Sequence, residues 1–389
     1  MMDWDGLFAP PWRGQGRIAR LASLLLATMA AAYLVGLVIR VVRMTLADPP
    51  IHSDFHALWS YARIAMQDGA LSVYDPQHLA QAEIALGRDP LRPAPLPFAY
   101  PPPFLLLVWP LGWLSYPVGY AVWMLATLGM LLAVMPRGRW LVLLAPATAA
   151  TVYFGQSGFL FAALLVGGMR ATFGGARLQV LGGVLLGVAA CKPQLGVLVP
   201  VALLAMRAWR TIGAACLTVA ALIGLTVLMF GAAIWPTWVA VLPDYASRFD
   251  AEMTAYWYLV PTVEGTMRLL GFGSGVAKLT QAMVALPVLV LVWQRFRPGG
   301  DAAALGGLCI GTFLVTPHAF VYDLPLAVAG LSVWLTARRD APGGFSAAEG
   351  VVALATLLLP AFTLSLASGL PLAVPILAVQ WAVMLKAPR

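Results

Sequence analysis

Five short polar motifs interrupt a chain that is otherwise strongly apolar, and they carry side chains that can move protons or hold anions. They are His52-Ser53-Asp54-Phe55-His56, Tyr74-Asp75-Pro76, Gly155-Gln156-Ser157-Gly158, Lys192-Pro193-Gln194 and the segment from His318 to Asp323. An ionisable group at membrane depth costs free energy unless it is paired or hydrated. Each motif therefore has a chemical interpretation and a structural one.

Asp54 is the residue best suited to act as a base. It starts a segment with amphipathic periodicity, where a carboxylate could deprotonate an incoming hydroxyl. Aspartate is also a common helix N-cap, because its side chain accepts hydrogen bonds from the first turn. Tyr74-Asp75-Pro76 is typical of a turn and a helix start, and it could also contact a ligand directly. Spacing alone leaves both interpretations open for both motifs.

Lys192 and His318 are candidate groups for binding an anion. Lys192 ends an apolar segment and could neutralise a phosphate or extend to lipid headgroups. His318 and Asp323 share a short segment that could hold a phosphate and orient a catalytic group, or form an ordinary polar turn. Gln156 lies in a glycine-rich turn, where it could bond to a sugar hydroxyl or satisfy the ends of two helices.

Several other patterns lack the context that their chemistry requires. Asp3-Trp4-Asp5 has the spacing of a metal and nucleotide-sugar site, but we expect it to lie in a solvated tail. The sequence contains no G-x-x-x-x-G-K-[ST] motif for nucleotide phosphates, and no basic run with the interleaved aromatic residues that bind nucleic acid. The sequence contains no set of ligands that requires a metal ion, although Asp54 and Asp323 together could hold a divalent cation.

The elements that must position these residues are membrane helices. The chain of 389 residues is 61% hydrophobic and 10% charged, and its mean hydropathy is +0.85. This is more apolar surface than one soluble core buries, so we predict an all-α polytopic membrane protein, one domain over 1–389. About 12 segments have the length and composition of a transmembrane helix. They are 21–39, 117–135, 140–154, 157–171, 178–191, 194–206, 211–230, 276–294, 302–317, 320–336, 347–367 and 370–385.

The distribution of charge predicts how these helices are oriented. With both termini in the cytoplasm, 15 of the 24 basic residues lie inside, among them Arg207, Arg210 and Arg339. Most acidic residues then lie outside, so the excess positive charge behind the net charge of +8 lies on the cytoplasmic side. The same orientation places the five polar motifs outside, which predicts a shared aqueous pocket at the extracytoplasmic face.

Two longer polar regions, 43–99 and 232–276, become outer loops in this topology. The first contains two predicted amphipathic helices, 54–67 and 76–86, suited to the membrane surface. Four prolines in 100–116 oppose a regular helix, so we predict a re-entrant or interfacial element there. Segment 21–39 follows a basic lead and is longer than a typical cleaved signal, so an uncleaved first span is favoured over a signal peptide.

The order of the polar motifs resembles glycosyltransferase family 87. The resemblance covers about residues 50 to 340, and Ser157 stands where many members carry asparagine. The residues that carry it are Asp54-Phe55, Tyr74-Asp75, Tyr100-Pro101-Pro102, Pro110-Leu111, Gly155-Gln156, Lys192-Pro193-Gln194-Leu195-Gly196, Pro317-His318 and Tyr322-Asp323.

The resemblance implies a C-type glycosyltransferase fold and a polyprenyl-phosphate-linked sugar donor. A hexose or pentose, with mannose favoured, would pass with inversion to a lipid or glycan acceptor, and Asp54 would be the base. His318, Lys192 and Arg63 would bind the donor phosphate. The residues expected to shape the pocket are Phe55, Tyr74, Asp75, Tyr100, Gln156, Gln194, Tyr322 and Asp323.

The expected location is the bacterial plasma membrane, with the active site on the extracytoplasmic face. Nucleotide sugars are not supplied at that face, so a lipid-borne donor is expected. The bilayer itself is a further expected partner, and no binding to nucleic acid is expected. A transporter or flippase of a lipid-linked sugar is the main alternative, although the sequence shows no clear internal repeat. A non-catalytic membrane assembly subunit is a third interpretation, and it would tolerate loss of Asp54.

Overall fold

The computed structural model describes residues 54–88, 98–135, 138–340, 346–361 and 370–386, together with Thr28, Val35, Ile39 and Val42. Most of the predicted first span and parts of both ends of the 43–99 loop lie outside these ranges. So do the end of the predicted 347–367 span and the terminal segments used for orientation. The described residues form helices and connecting turns, with no β-strand among them.

Seventeen α-helices fall within the described residues, and we number them in chain order. They are α1 Asp54–Gln67, α2 Pro76–Ala85, α3 Pro102–Val108, α4 Tyr116–Val134, α5 Arg139–Leu144, α6 Pro146–Phe154, α7 Gly158–Thr172, α8 Ala176–Ala189, α9 Val199–Ala205, α10 Trp209–Phe230, α11 Ile234–Glu252, α12 Val263–Leu269, α13 Ser274–Phe296, α14 Ala302–Val315, α15 Pro325–Asp340, α16 Ala347–Ala361 and α17 Ala373–Lys386. Short 3₁₀ helices occupy Ala70–Tyr74, Trp109–Trp113, Pro193–Gly196, Met253–Ala255, Trp257–Leu259 and Val321–Asp323.

Among the described residues, three helices are long and apolar enough to cross a membrane: α4, α10 and α13. Seven other apolar helices in these ranges are shorter, including α7, α8 and α14. The fold is therefore that of an all-helical membrane protein, while the number of about 12 spans remains a prediction. The predicted 140–154 span is divided, since Pro146 starts α6 immediately after α5 ends, and a proline in a helix interior removes a backbone hydrogen bond.

The helices separate into an interior group and a peripheral group. Every residue from Gly158 to Met169 in α7 and from Ala304 to Val315 in α14 is buried. By contrast, Leu217 and Leu228 of α10 are 72% and 85% exposed, and α13 exposes several large apolar side chains. Apolar surface of this extent is costly in water and is normal against lipid. The peripheral helices therefore face the bilayer.

Small residues allow the interior helices to approach closely. A Cβ atom on Gly330 of α15 would lie 2.5 Å from the Cβ of Cys309 in α14, and a Cβ on Gly182 of α8 would lie 2.7 Å from the carbonyl oxygen of Gly168 in α7. Glycine at such contacts maximises packing between helix backbones, which is a main source of stability where lipid removes the hydrophobic driving force.

The predicted re-entrant region takes the form of two short helices. Helix α3 runs from Pro102 to Val108, and the 3₁₀ helix Trp109–Trp113 continues it. Twelve residues of helix extend about 20 Å, which is short of the roughly 30 Å hydrocarbon layer. This element packs against α1, so α1 and the proline-rich segment form one unit.

Candidate active site

The glycine-rich turn between α6 and α7 brings three distant segments together. Gly155 has a left-handed backbone with φ of 68°, which ends α6 and turns the chain towards α7. A side chain on Gly155 would collide with Phe55 at the start of α1, and one on Gly158 would collide with the Tyr322 carbonyl. Because glycine leaves this space free, Gln156 lies between the α1 and Tyr322 segments.

Asp54 is the first residue of α1 and faces Gln156. The Gln156 side-chain amide donates a hydrogen bond of 3.2 Å to Asp54 Oδ2, and its own carbonyl oxygen accepts from the Ser157 backbone N–H at 3.3 Å. Gln156 is thereby fixed in orientation and serves both the turn and the carboxylate. Asp54 is partly exposed, so an incoming group can reach it.

The surroundings of Asp54 favour its protonated form more than water does. Loss of hydration raises the pKa of Asp54 from 3.8 to about 6, and the hydrogen bond from Gln156 lowers it by less. The partner of this carboxylate is a neutral amide and not a cation. Asp54 can therefore gain and lose a proton close to neutral pH without breaking an ion pair.

Three tyrosines extend the polar cluster around Asp54. Tyr322 lies close enough to Tyr100, Tyr245, Asp54 and Asp323 to interact with them electrostatically. The Tyr100 ring stacks on Phe104 with centroids 3.9 Å apart, and its hydroxyl neighbours Ser157. Phenol groups donate and accept hydrogen bonds, so this cluster has the polar surface that a sugar requires.

Lys192 and Asp323 form a buried ion pair beside this cluster. Lys192 Nζ lies 2.5 Å from Asp323 Oδ1, and the two side chains are 3% and 0% exposed. The second carboxylate oxygen of Asp323 accepts a 3.0 Å hydrogen bond from the Phe320 backbone N–H. Lys192 also lies 5.2 Å from the centre of the Tyr322 ring. The pair therefore fixes the Tyr322 segment against the end of α8.

His318 occupies the rim of the cluster, on the segment that follows α14. The side chain is exposed, and its ring meets that of Phe249 edge to face with centroids 5.2 Å apart. Partial loss of hydration lowers the pKa of His318, while the charge of Asp250 raises it and that of Lys278 lowers it. The imidazole is thus largely neutral at pH 7 until an anion approaches it.

Arg63 and Tyr74 make structural contacts. Arg63 donates hydrogen bonds to the carbonyl oxygens of Gly112 and Leu114, and its guanidinium lies 5.1 Å from the Trp59 ring centre. The Tyr74 hydroxyl donates to the Tyr100 carbonyl at 3.2 Å. The Arg63 contacts tie α1 to the segment after α3, and the Tyr74 contact ties the 3₁₀ helix Ala70–Tyr74 to the segment before α3. They leave the predicted phosphate and pocket roles of Arg63 and Tyr74 as predictions.

Phe55, Asp75 and Gln194 complete the set of predicted residues. Phe55 is fully buried against Gly155. Asp75 is the N-cap of α2, since its carboxylate accepts hydrogen bonds from the backbone N–H groups of Gln77 and His78. Gln194 is partly buried in the 3₁₀ helix that follows Lys192. Asp75 thus has the capping interaction that its motif indicates, and a ligand role for any of the three remains a prediction.

The candidate residues lie at matching ends of the interior helices. Gln156 precedes α7, Lys192 follows α8, and His318 follows α14. Within the described ranges, no group of three or more His, Cys, Asp or Glu side chains is arranged to hold a metal ion. The cluster therefore offers a carboxylate, an imidazole and phenols near one end of the helix bundle.

Sequence reasoning did not single out Tyr245, Asp250 and Lys278. Tyr245 and Asp250 belong to α11, and Lys278 lies in the first turns of α13, where its Nζ is 3.9 Å from Asp250. Lys278 had a detectable signal, because it is a charged residue near the N-terminal end of an apolar segment. Tyr245 had none, since nothing in the amphipathic pattern of α11 distinguishes it.

Comparison with known proteins gives one match. The sequence model described as glycosyltransferase family 87 matches residues 98–317, which is more than half of the chain. The matched range includes Gln156 and Lys192 and ends immediately before His318, while Asp54 precedes it. The chain matches no curated protein and no solved structure.

Proposed function

The chain belongs to glycosyltransferase family 87, and we propose on that premise that it uses a polyprenyl-phosphate-linked sugar. It is a membrane glycosyltransferase. The donor sugar is a hexose or pentose, with mannose favoured, and the acceptor is a hydroxyl of a lipid or glycan on the extracytoplasmic face. A lipid-borne donor reaches the site from within the bilayer, which suits a helix bundle whose outer surface is apolar.

The observation that carries the proposal is the environment of Asp54. A general base works best when its pKa lies near the working pH, and burial brings that of Asp54 to about 6. The Gln156 amide orients the carboxylate without neutralising it. Asp54 removes the proton of the acceptor hydroxyl as its oxygen attacks the anomeric carbon of the sugar.

The bond between the anomeric carbon and the phosphate oxygen breaks in the same step, and its electron pair leaves on the phosphate. Attack from the face opposite the phosphate inverts the anomeric configuration. The proton on Asp54 then passes to solvent through the exposed side of the residue. One carboxylate is sufficient for this reaction, in contrast to the paired carboxylates of glycoside hydrolases.

His318 is the group that we assign to the departing phosphate. Its imidazole is exposed on the rim, and a dianionic phosphate beside it raises its pKa and converts it to a cation. Lys192 was predicted for the same phosphate, but its charge is matched by Asp323 at 2.5 Å. Its proposed role is therefore to position Tyr322, which with Tyr100 and Gln156 forms the sugar-binding surface.

The arrangement favours transfer over transport of a lipid-linked sugar. A transporter places its binding residues near the middle of its helices, between two repeats. Gln156, Lys192 and His318 lie instead beyond the helix ends. This placement supports a site at one membrane interface, which is where a transferase meets both the lipid-borne donor and its acceptor.

Assay of the purified full-length protein tests the choice of donor. The protein is incubated with extracted membrane lipids and either radiolabelled polyprenyl-phosphate mannose or the matching nucleotide sugar. The proposal expects labelled product from the lipid donor and none from the nucleotide sugar, with inverted configuration at the new linkage. Product from the nucleotide sugar alone, or transbilayer movement of the intact donor without product, contradicts it.

A further inference from the structure

A polar cleft lies away from the candidate active site, and its volume is about 650 Å³. Four segments line it: the end of α7, the first turns of α8, the junction between α9 and α10, and the loop before α14. The residues that matter for its chemistry are Thr172, Gln179, Arg207, Trp209, Arg210 and Gly300.

The cleft lies at the opposite end of the helices that position the candidate active site. Helix α7 starts at Gly158, beside the Tyr322 segment, and ends at Thr172 in the cleft wall. Its 15 residues span roughly 22 Å. Helix α14 likewise begins just after Gly300 and ends just before His318. The cleft and the candidate active site therefore lie at opposite ends of these interior helices.

The cleft carries positive charge. Arg207 and Arg210 are the charged residues of its lining, and both are exposed. Neither guanidinium forms an ion pair or a hydrogen bond with another side chain in the part of the chain that the structure describes. Asp301 follows Gly300, but it lies 2.6 Å from Arg295 and caps α14 through the Ala304 N–H. The two arginines therefore lack an internal counterion.

The backbone of Arg207 adopts a conformation that favours glycine. Its φ is 55°, and it is the one non-glycine residue with a positive φ among those described. The Arg207 and Ala208 N–H groups donate to the carbonyls of Leu204 and Leu203, which is the Schellman pattern that ends α9. Glycine ends a helix in this way without steric cost, whereas arginine does not. Strain of this kind is often found at functional sites. Here the strained residue is a cation that lines the cleft.

Apolar side chains continue from the cleft along the outside of the bundle. Trp209 is 63% exposed, and on α8 Leu178 and Leu181 are 49% and 48% exposed. Tryptophan is enriched where membrane proteins meet the headgroup layer. The surface thus passes from two cations to an interfacial aromatic ring and then to aliphatic side chains, in the same order as the parts of a phospholipid.

We propose that this cleft binds the headgroup of an anionic phospholipid. Arg207 and Arg210 contact the phosphate, and Trp209 lies beside the start of the acyl chains. The ligand comes from the leaflet opposite the candidate active site. This inference is independent of the proposed transfer reaction, because none of the residues assigned to that reaction lines the cleft.

Native mass spectrometry of the full-length protein in a neutral detergent tests the site. The probes are dioctanoyl phosphatidylglycerol and dioctanoyl phosphatidylcholine. Wild type is expected to bind the anionic lipid more tightly. The Arg207→Gly, Arg210→Gln double variant should weaken phosphatidylglycerol binding by about 30-fold and phosphatidylcholine binding, whose phosphate charge is balanced by choline, by much less. Because Arg207→Gly relieves the left-handed strain, the single variant should melt no earlier than wild type, which separates loss of the site from misfolding.

Arg339→Gln is the matched control, since it removes one exposed arginine of α15 outside the cleft. It should keep phosphatidylglycerol affinity within about twofold of wild type. Equal losses in the control and the cleft variants would indicate general charge attraction and overturn the proposal. Displacement of the lipid by millimolar inorganic phosphate would reassign the cleft to a free anion, and unchanged binding in the double variant would remove the site altogether.

Discussion

Asp54 and Asp323 are the same residue type in one polar cluster, yet their partners give them different chemistry. Asp54 accepts a hydrogen bond from the neutral Gln156 amide, whereas Asp323 lies 2.5 Å from the Lys192 ammonium group. Asp54 is partly exposed, and Asp323 is fully buried. Proton transfer to Asp323 would leave a buried ammonium group without a counterion, while proton transfer to Asp54 breaks no ion pair. The difference indicates that Asp54 is the base and that Asp323 is a positioning residue.

Replacing Asp54 with asparagine should have the largest effect on activity. Asparagine keeps the shape of the side chain but cannot accept the acceptor proton, and general-base catalysis contributes about 10²- to 10⁴-fold in rate. We expect sugar transfer in Asp54→Asn to fall by that factor, measured as radiolabelled product per enzyme. Its melting temperature should not fall, because a poorly hydrated carboxylate is removed.

Asp68→Asn is the matched control for that experiment. Asp68 lies just after α1, is about 41% exposed and pairs with His78 on the surface. The same chemical change there should leave transfer near the wild-type rate. Turnover of Asp54→Asn close to that of Asp68→Asn would remove Asp54 from the mechanism and erase the proposed distinction between the two cluster aspartates.

Breaking the Lys192–Asp323 pair should affect stability more than chemistry. Removal of one partner from a buried ion pair costs about 3–5 kcal/mol, because the other charge is left uncompensated. We expect Lys192→Met and Asp323→Asn each to lower the free energy of unfolding by about that amount. The measurement is denaturant-induced unfolding in detergent.

The double variant Lys192→Met, Asp323→Asn should recover much of the loss, because no unpaired charge remains. Asparagine at 323 can still accept the hydrogen bond from the Phe320 N–H. Additive losses in the double variant would show that the two residues are not coupled, contrary to the observed geometry. If transfer rather than folding is lost in Lys192→Met, a direct role in binding the donor phosphate is restored.

The pH profile of transfer should report the ionisation of Asp54. The base form is needed, so activity should rise with pH and reach half of its maximum near pH 6. Since the Gln156 hydrogen bond lowers the pKa of Asp54, Gln156→Leu should move the midpoint to higher pH. The transfer activity at pH 7 should then fall by less than about tenfold. Burial also raises the pKa of Glu83, to about 7, so Glu83→Gln serves as a control that should leave the midpoint in place.

The same ionisation has a defined effect on stability. The folded-state pKa of Asp54 is above its ordinary value of 3.8, so the folded protein binds more protons than the unfolded chain between about pH 3.8 and 6. The contribution of Asp54 to the free energy of unfolding therefore decreases as pH rises through that window. Asp54→Asn should remove this component, and an identical pH dependence in the variant would contradict the raised pKa.

Asp75 should give the smallest effect, because its carboxylate has a structural partner. Loss of an N-cap costs about 1 kcal/mol, so Asp75→Ala should lower the free energy of unfolding by that amount. Asp75→Asn should stay near wild type, since asparagine caps helices well. Both variants should retain transfer. A large loss of activity in Asp75→Asn would indicate the ligand contact that the sequence also allowed.

Much of the helical layout was predictable from the sequence. The predicted segments 117–135, 211–230 and 276–294 correspond to α4, α10 and α13, and each boundary agrees within about two residues. Long apolar runs are local properties, so their helices can be read without knowing the fold. The predicted 320–336 span was less accurate, because 321–323 forms a 3₁₀ turn and α15 begins at Pro325.

The candidate site was predictable only as a set of residue types. Asp54 and Gln156 are separated by 102 positions in the sequence, and Lys192 and Asp323 by 131. Neither pair leaves a local pattern. Tyr245 was missed for the same reason, since its neighbours in the cluster come from distant segments of the chain. The role of the glycines in the 155–158 turn also depends on contacts with Phe55 and Tyr322.

The sequence by itself determined that this protein is a helical membrane protein with a small number of polar groups capable of chemistry. Hydropathy and residue type settle this, because lipid requires apolar surfaces and internally bonded backbone. Only the tertiary structure decided which polar group faces which. The pairing of Lys192 with Asp323, and of Asp54 with a neutral amide, follows from how the interior helices pack, and that packing determines which carboxylate is free to accept a proton.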